Sequence, residues 1–172
     1  DTRPKGATRQ ISYAGESITI NGISKGAGMI KPNMATMLGF VATDANIDQV
    51  LLQEILTECT DHSFNRITID GDTSTNDSCI LVATGKSAAP ELKRGTPELA
   101  KFENELKGLF IELAQAIVRD GEGATKFVSV IVDNAKSQQE ALDVAYTVAH
   151  SPLVKTALYA CDPNWGRILA AV

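Results

Sequence analysis

Thr36-Met37-Leu38-Gly39-Phe40-Val41-Ala42-Thr43 is the stretch on which the fold turns. It is apolar, β-branched and short, so it reads as a buried strand rather than a helix. Just behind it, Asn46 stands three residues before Gln49 as a capping box. Ile47, Val50, Leu51, Ile55 and Cys59 then recur at helical spacing, which predicts the first helix. Further on, Arg66 to Asp70 and Ser78 to Ala83 read as strands flanking a polar loop, Gly71-Asp72-Thr73-Ser74-Thr75-Asn76-Asp77. Upstream, Gly26-Ala27-Gly28-Met29-Ile30-Lys31-Pro32-Asn33 holds too much Gly and Pro for the interior of an element and reads as a loop. Before it, Ala7 to Tyr13 and Ser17 to Ser24 are β-rich runs separated by Ala14-Gly15-Glu16, a hairpin with Gly in its turn.

The second half continues the alternation. Thr96-Pro97 supplies an N-cap and an N1 proline, and Leu99, Phe102, Leu106, Leu109, Phe110, Leu113 and Ile117 form one stripe that Gly121 ends. Phe127 to Val132 is a continuous β-branched run, the pattern of a strand buried on both faces. Ser137 with Glu140 opens a helix through Ala141, Leu142, Ala145 and Val148 up to the break at Ser151-Pro152. Asp162-Pro163-Asn164-Trp165 opens a last helix with Trp165 expected in the core. This order predicts a mixed α/β layered domain.

Composition bounds the function. The 172 residues fit one structural domain with a real core. With 16 Lys+Arg against 21 Asp+Glu the net charge is -5, and no basic stripe is visible, which argues against nucleic acid as a partner. The longest uncharged apolar runs, such as Phe127 to Val132, are far too short to cross a bilayer, so no membrane is expected. Cys59, Cys79 and Cys161 cannot all pair and form no CxxC, which points to reduced thiols in a cytoplasmic compartment and away from a zinc cage. Asp1 stands in place of an initiator Met, and the run Trp165 to Val172 stops without a capping residue. The chain is therefore expected to be a piece of a longer polypeptide.

Several chemical signals fall short. Gly26-Ala27-Gly28 lacks the third glycine of a dinucleotide fingerprint and the Gly-Lys-Ser/Thr of a phosphate loop. Cys59 and His62 share a helix face at metal-ligand spacing, but no second pair accompanies them, and His150 has no activated serine beside it. What remains is a flexible loop delivering a small residue, Ala35, and then Thr36 at the start of a buried strand. An N-terminal nucleophile needs that arrangement. A threonine hydroxyl requires an adjacent base, and its own α-amine, with a reference pKa of about 7.7 to 8.0, is one once the preceding peptide bond is cut. By itself, an Ala-Thr at a strand start is also ordinary β-branched packing.

The longer stretch decides between these. Gly-x-Ser-Lys-Gly-x-Gly-Met-Ile-x-Pro-Asn-Met-Ala-Thr-Met-Leu, at Gly22 to Leu38, closely resembles the self-cleavage region of the ornithine acetyltransferases, also called bifunctional glutamate N-acetyltransferases, of arginine biosynthesis. The resemblance continues through Ala42-Thr43-Asp44-Ala45, Asp70 to Asp77, Asp120-Gly121-Glu122-Gly123-Ala124-Thr125-Lys126 and Asp162-Pro163-Asn164-Trp165-Gly166-Arg167. It implies a layered mixed α/β sandwich similar to the N-terminal-nucleophile fold. It also implies self-cleavage between Ala35 and Thr36, dividing residues 1–35, the end of an α chain, from 36–172, the start and centre of a β chain.

The activity so implied is transfer of an acetyl group from N-acetylornithine to glutamate through an acetyl ester on Thr36. Lys25 and Glu122 match the family's substrate-binding positions, and their charges suit an α-carboxylate and an ammonium. Read without the family, they are a solvated loop lysine and a helix-end glutamate. No metal or cofactor is implied, with acetyl-CoA open as an alternative acetyl donor. The implied partners are the remaining α- and β-chain segments in a heterotetramer of two α and two β chains. The family's Thr-Gly oxyanion hole precedes anything matching Asp1, and further substrate residues follow Val172, so this stretch is expected to be half a site. Two other readings stand beside it: an aminopeptidase or amidohydrolase of the same self-processing kind, and a non-catalytic amino-acid-binding fragment. For the loop Asp72 to Asp77 no catalytic step is implied; its Asp and Asn side chains can hold a turn by bonding to backbone amides.

Overall fold

β-Strand alternation at the start of the chain produces a tight hairpin. β1 (Gly6–Tyr13) and β2 (Glu16–Lys25) pair antiparallel with Tyr13 opposite Glu16. The two linking residues, Ala14 and Gly15, both have positive φ, 54° and 85°, the signature of the turn whose twist matches that of its strands. β2 then pairs antiparallel with β3 (Leu38–Thr43), and β3 pairs parallel with β4 (Ser78–Ala83), giving the sheet order β1-β2-β3-β4. A parallel pair needs a crossover, and α1 (Gln49–Asp61) supplies it. The computed structural model describes residues 1–31, 37–73 and 75–172.

Period-two alternation gives the sheet one buried face. Ile11, Ile18, Ile20 and Val41 point to the core, and α2 (Pro97–Arg119) lies against β1 and β2. Thr96 caps α2 by accepting the Leu99 N–H at 3.3 Å, and the whole expected stripe from Leu99 to Ile117 is buried, with Ala114 added. Each such large side chain contributes about 1.5–3 kcal/mol of hydrophobic free energy, so this helix is what closes the core. The opposite face of the sheet leaves Ile23, Phe40 and Ile80 exposed in one cross-strand row.

The packing divides the chain into two compact units, 1–122 and 123–172, where the sequence reading has a single structural domain. The second unit holds α3 (Gln138–His150), α4 (Pro152–Tyr159) and α5 (Trp165–Ala171). Ser137 caps α3 through the Glu140 N–H at 3.1 Å, and the Glu140 carboxylate accepts the Lys136 N–H at 2.6 Å, close to the expected capping box.

Four expectations are corrected. α1 starts two residues later than its capping-box reading. The Asn46 carbonyl is taken by the Leu92 N–H, at 2.9 Å, and Ile47 bridges Leu92, so Asp48 becomes the cap and Val50 faces solvent. Arg66 to Asp70 is no strand: Phe64–Arg66 is a 3₁₀ turn, and the Asp70 side chain captures the N–H groups of Met29 and Ile30 that a ladder would have used. Phe127 to Val132 forms none of the described strands, and Ile131 is 79% exposed rather than buried. A strand buries its backbone polar groups only beside a neighbour, and this run is not among the strands of the described sheet. Trp165 is 72% exposed, because none of the residues of α5 is buried and the small helical unit closes only over Val148, Val154 and Ala157. Among the described residues no helix is long and apolar enough to cross a membrane.

Candidate active site at one end of the sheet

Strand register collects the site. Lys25, the last residue of β2, pairs with Leu38, the first of β3, which pairs with Ser78, the first of β4. The loop after Lys25 and the loop before Ser78 therefore meet at one sheet end. Ala35 and Thr36, the expected cleavage pair, lie outside the described residues, but Leu38 stands only two positions after Thr36 in the chain.

Two carboxylates fix the chain on either side of residues 32–36. The Met29 N–H donates to Asp70 Oδ2 at 2.6 Å, and the Ile30 and Asp72 N–H groups donate to Asp70 Oδ1 at 3.1 Å. The Ile69 N–H returns a bond to the Ile30 carbonyl at 3.0 Å. Met29 has φ 53°, a left-handed conformation that is costly for a side chain of its kind and persists only where the surroundings hold it. On the far side, the Met37 N–H donates to Asp77 Oδ1 at 2.7 Å, and the Met37 carbonyl accepts from the Ser78 N–H at 3.1 Å. Burial pushes the Asp77 carboxyl up from the ordinary carboxylate value, opposed by the Met37 N–H.

Glu122 arrives from the end of α2. Its N–H donates to the Ala27 carbonyl at 2.8 Å, and its carboxylate lies against Gly28, where a Cβ would stand 3.1 Å from Glu122 Oε1. Asp120, the C-cap of α2, accepts from Lys5 Nζ at 2.6 Å, from the Thr2 N–H at 3.0 Å and from the Thr2 hydroxyl. The Lys5 ammonium and then the Thr2 hydroxyl hold the Asp120 carboxyl well below the usual range. Lys5 also binds Asp1, whose Oδ1 accepts the Gly26 N–H at 3.0 Å and whose Oδ2 lies 4.0 Å from Lys25 Nζ. This ion cluster, buried at Lys5 and Asp120, ties the start of the chain, the α2 end and the loop after β2 into one body.

Lys25 and Glu122 thus flank a single loop, residues 25–28, and both are exposed. A cation and an anion presented together match the carboxylate and ammonium of a free amino acid. Other candidates remain structural. Cys59 is buried with its thiol pushed up to about 12 by desolvation, while the exposed His62 bonds through Nδ1 to the Glu58 carbonyl at 3.0 Å. His150 stacks on Tyr146 with ring centroids 5.5 Å apart. Among the described residues no cluster of three or more His, Cys, Asp or Glu is placed to hold a metal ion.

Asp70 and Asp77 are the residues that sequence reasoning missed. Asp72 to Asp77 is expected to hold a turn and Asp70 to end a strand, but the Asp70 and Asp77 carboxylates both bond to backbone amides of another segment. The signal available in the sequence is three aspartates, Asp70, Asp72 and Asp77, in eight residues with no Lys or Arg among them.

The fold is of the mixed α/β layered class, with a loop-borne pair of opposite charges at one end of the sheet. Residues 1–172 match the ArgJ family, and the chain belongs to it. The arginine biosynthesis bifunctional protein ArgJ of Pseudomonas fluorescens is 63% identical over 173 residues, all of this chain and 43% of that protein. That of Methylococcus capsulatus is 58% identical over all of this chain and 42% of its own length. The crystal structure of ArgJ from Bacillus halodurans superposes with a TM-score of 0.76 at 50% identity, covering 79% of this chain and 64% of that chain. The chain therefore spans about two fifths of the length of the curated relatives it matches.

Proposed function

We propose that the protein carrying this chain is an acetyltransferase that moves an acetyl group from N-acetylornithine to glutamate, after cutting itself between Ala35 and Thr36. The observation that carries the reading is the register joining Lys25 to Leu38, two residues beyond Thr36, with Glu122 bonded to the loop that follows Lys25. Family membership over the whole chain and the arginine-biosynthesis names of its relatives support it.

Self-cleavage begins when Thr36 Oγ attacks the Ala35 carbonyl carbon. The C–N bond breaks, the hydroxyl proton passes to the departing amine, and water opens the resulting ester, leaving an Ala35 carboxylate and a Thr36 α-amine. That amine then serves as base. Thr36 Oγ attacks the acetyl carbonyl of N-acetylornithine and ornithine leaves with the proton; the amine of glutamate then attacks the acetyl ester, the C–Oγ bond breaks, and the proton given up by that amine returns to Thr36 Oγ. Dividing one amide exchange into two ester-linked transfers lowers each barrier. Lys25 holds the α-carboxylate common to both amino acids, and Glu122 holds a substrate ammonium. Acetyl-CoA is an alternative donor into the same ester. The oxyanion donors and further binding residues come from the rest of the α and β chains, in a cytoplasmic assembly of two copies of each.

Peptide mapping of acid-quenched, full-length protein after exposure to N-acetylornithine tests this. One labile acetyl on the Thr36 hydroxyl, discharged by glutamate as N-acetylglutamate, is expected. Discharge to acetate whether or not glutamate is present would make the protein an amidohydrolase instead.

A further inference from the structure

Asp70 and Asp77 lie on one polar loop and bracket residues 32–36 from both sides. Asp70 accepts from the backbone at Met29 and Ile30, and Asp77 from the backbone at Met37. A carboxylate accepting an amide N–H makes a charge-assisted bond, short and directional, as the 2.6 and 2.7 Å distances show. The Met37 N–H belongs to the planar peptide unit that follows Thr36, so its anchor acts on the backbone of the nucleophile's immediate neighbour. The Asp70 anchor acts where Met29 is held left-handed. Both anchors are themselves seated. The Asp70 loop is joined to Ile30 by the Ile69 N–H at 3.0 Å, and Asp77 leads directly into β4, paired with β3.

We propose that Asp70 and Asp77 are positioning residues for self-cleavage at Ala35-Thr36, an inference that rests on the self-processing reading above. They hold the chain on both sides of the reacting bond, so that part of the entropy of bringing the hydroxyl to the carbonyl is lost on folding rather than in the reaction. Neither exchanges a proton. The bonds made and broken are those already given: Thr36 Oγ to the Ala35 carbonyl carbon, then loss of the C–N bond with the proton passing to the amine.

The two sites differ in a way that a single substitution reads. Asp77 accepts the Met37 N–H on Oδ1, a bond that the amide oxygen of an asparagine can keep. Asp70 uses Oδ2 for Met29 and Oδ1 for Ile30 and Asp72, so an asparagine there keeps only one of two acceptor atoms.

The test is a time course of cleavage in radiolabelled full-length protein made by cell-free synthesis. Asp70→Ala and Asp77→Ala are expected to slow cleavage by about 10- to 150-fold, the rate equivalent of a charged hydrogen bond. Asp77→Asn should cleave within about fivefold of the parent because its neutral acceptor remains, with Asp70→Asn falling between parent and Asp70→Ala. Amide hydrogen exchange in the uncut Thr36→Ala background supplies the second readout. Asp77→Ala should lose protection at Met37 while the α2 amides stay protected; if α2 is exposed as well, the asparagine rates decide. Parental rates in both alanine variants would overturn the proposal, and so would an Asp77→Asn as slow as Asp77→Ala, which would mark a proton-transferring carboxylate. A parent that stays whole, or a Thr36→Ala chain that still cuts at the same bond, would instead bring down self-processing itself, and the proposal with it.

Discussion

A methyl group added at Gly28 stands 3.1 Å from both Cδ and Oε1 of Glu122 and 3.3 Å from Oε2. Ordinary contact begins at 3.4 Å, so Gly28→Ala must displace that carboxylate by a few tenths of an ångström. Gly28 is not among the positive-φ glycines, so alanine fits its backbone, and the atoms it meets end an exposed, flexible side chain. Folding should barely change: a Tm within about 2 °C of the parent, as for a surface substitution. Gly22→Ala is the contrast. Its Cβ would stand 2.7 Å from Leu109 Cδ2, 2.8 Å from Leu113 Cδ1 and 3.2 Å from Val41 Cγ2, all in the packed core between α2 and the sheet. Overpacking of that kind costs about 1–3 kcal/mol and lowers Tm by several degrees. For catalysis the order reverses. If Glu122 holds the substrate ammonium, losing about half of a charged hydrogen bond in Gly28→Ala raises KM about 4- to 13-fold with kcat little changed. Thermal denaturation and steady-state acetyl transfer on full-length protein read both quantities. An unchanged KM in Gly28→Ala would detach Glu122 from the substrate and refute the assignment.

Glu122→Gln and Lys25→Met should each weaken substrate use about 10-fold or more while leaving cleavage at Ala35 intact, as kinetics and gel analysis of the same preparations will show. The carboxyl of Asp120 is held below its ordinary value of 3.8, so the stability it contributes is complete above that value and is lost only as pH falls further, through its lowered folded-state value. The Tm difference between parent and Asp120→Asn should therefore be constant at neutral and mildly acid pH and shrink only in strong acid. Burial pushes Cys59 up to about 12 and Cys79 up to about 11, whereas Cys161 is exposed. Iodoacetamide should accordingly label Cys161 in the native protein and the other two only after denaturation, as read by peptide mass.

Where a pattern answers to its own element, the sequence was readable. The α2 stripe and its Thr96 cap need only a helix and one apolar surface, and the structure buries every residue of the stripe. β4 runs from Ser78 to Ala83, as its β-rich run predicts. The failures are all contests decided at a distance. Asn46 has the chemistry of a cap, but its carbonyl is engaged by Leu92, more than forty residues on. Ile67 to Asp70 has strand composition, yet the Asp70 side chain takes the N–H groups a ladder would need. Phe127 to Val132 and Trp165 read as core from composition, which cannot say whether a partner lies alongside. The site shows the same division. Lys25 and Glu122 came from a family resemblance and not from their own surroundings. Asp70 and Asp77 act across the fold on backbone groups, which carry no residue-type signature.

Intact mass with N-terminal sequencing of the purified full-length protein shows whether Thr36 acts as an intramolecular nucleophile. One chain should end at Ala35 and another begin Thr36-Met37-Leu38, dividing these 172 residues into stretches of 35 and 137. Their summed mass should exceed that of the uncut protein by one water, and Thr36→Ala should remain a single chain. A parent that stays uncut, or a Thr36→Ala protein cut at the same bond, would contradict it.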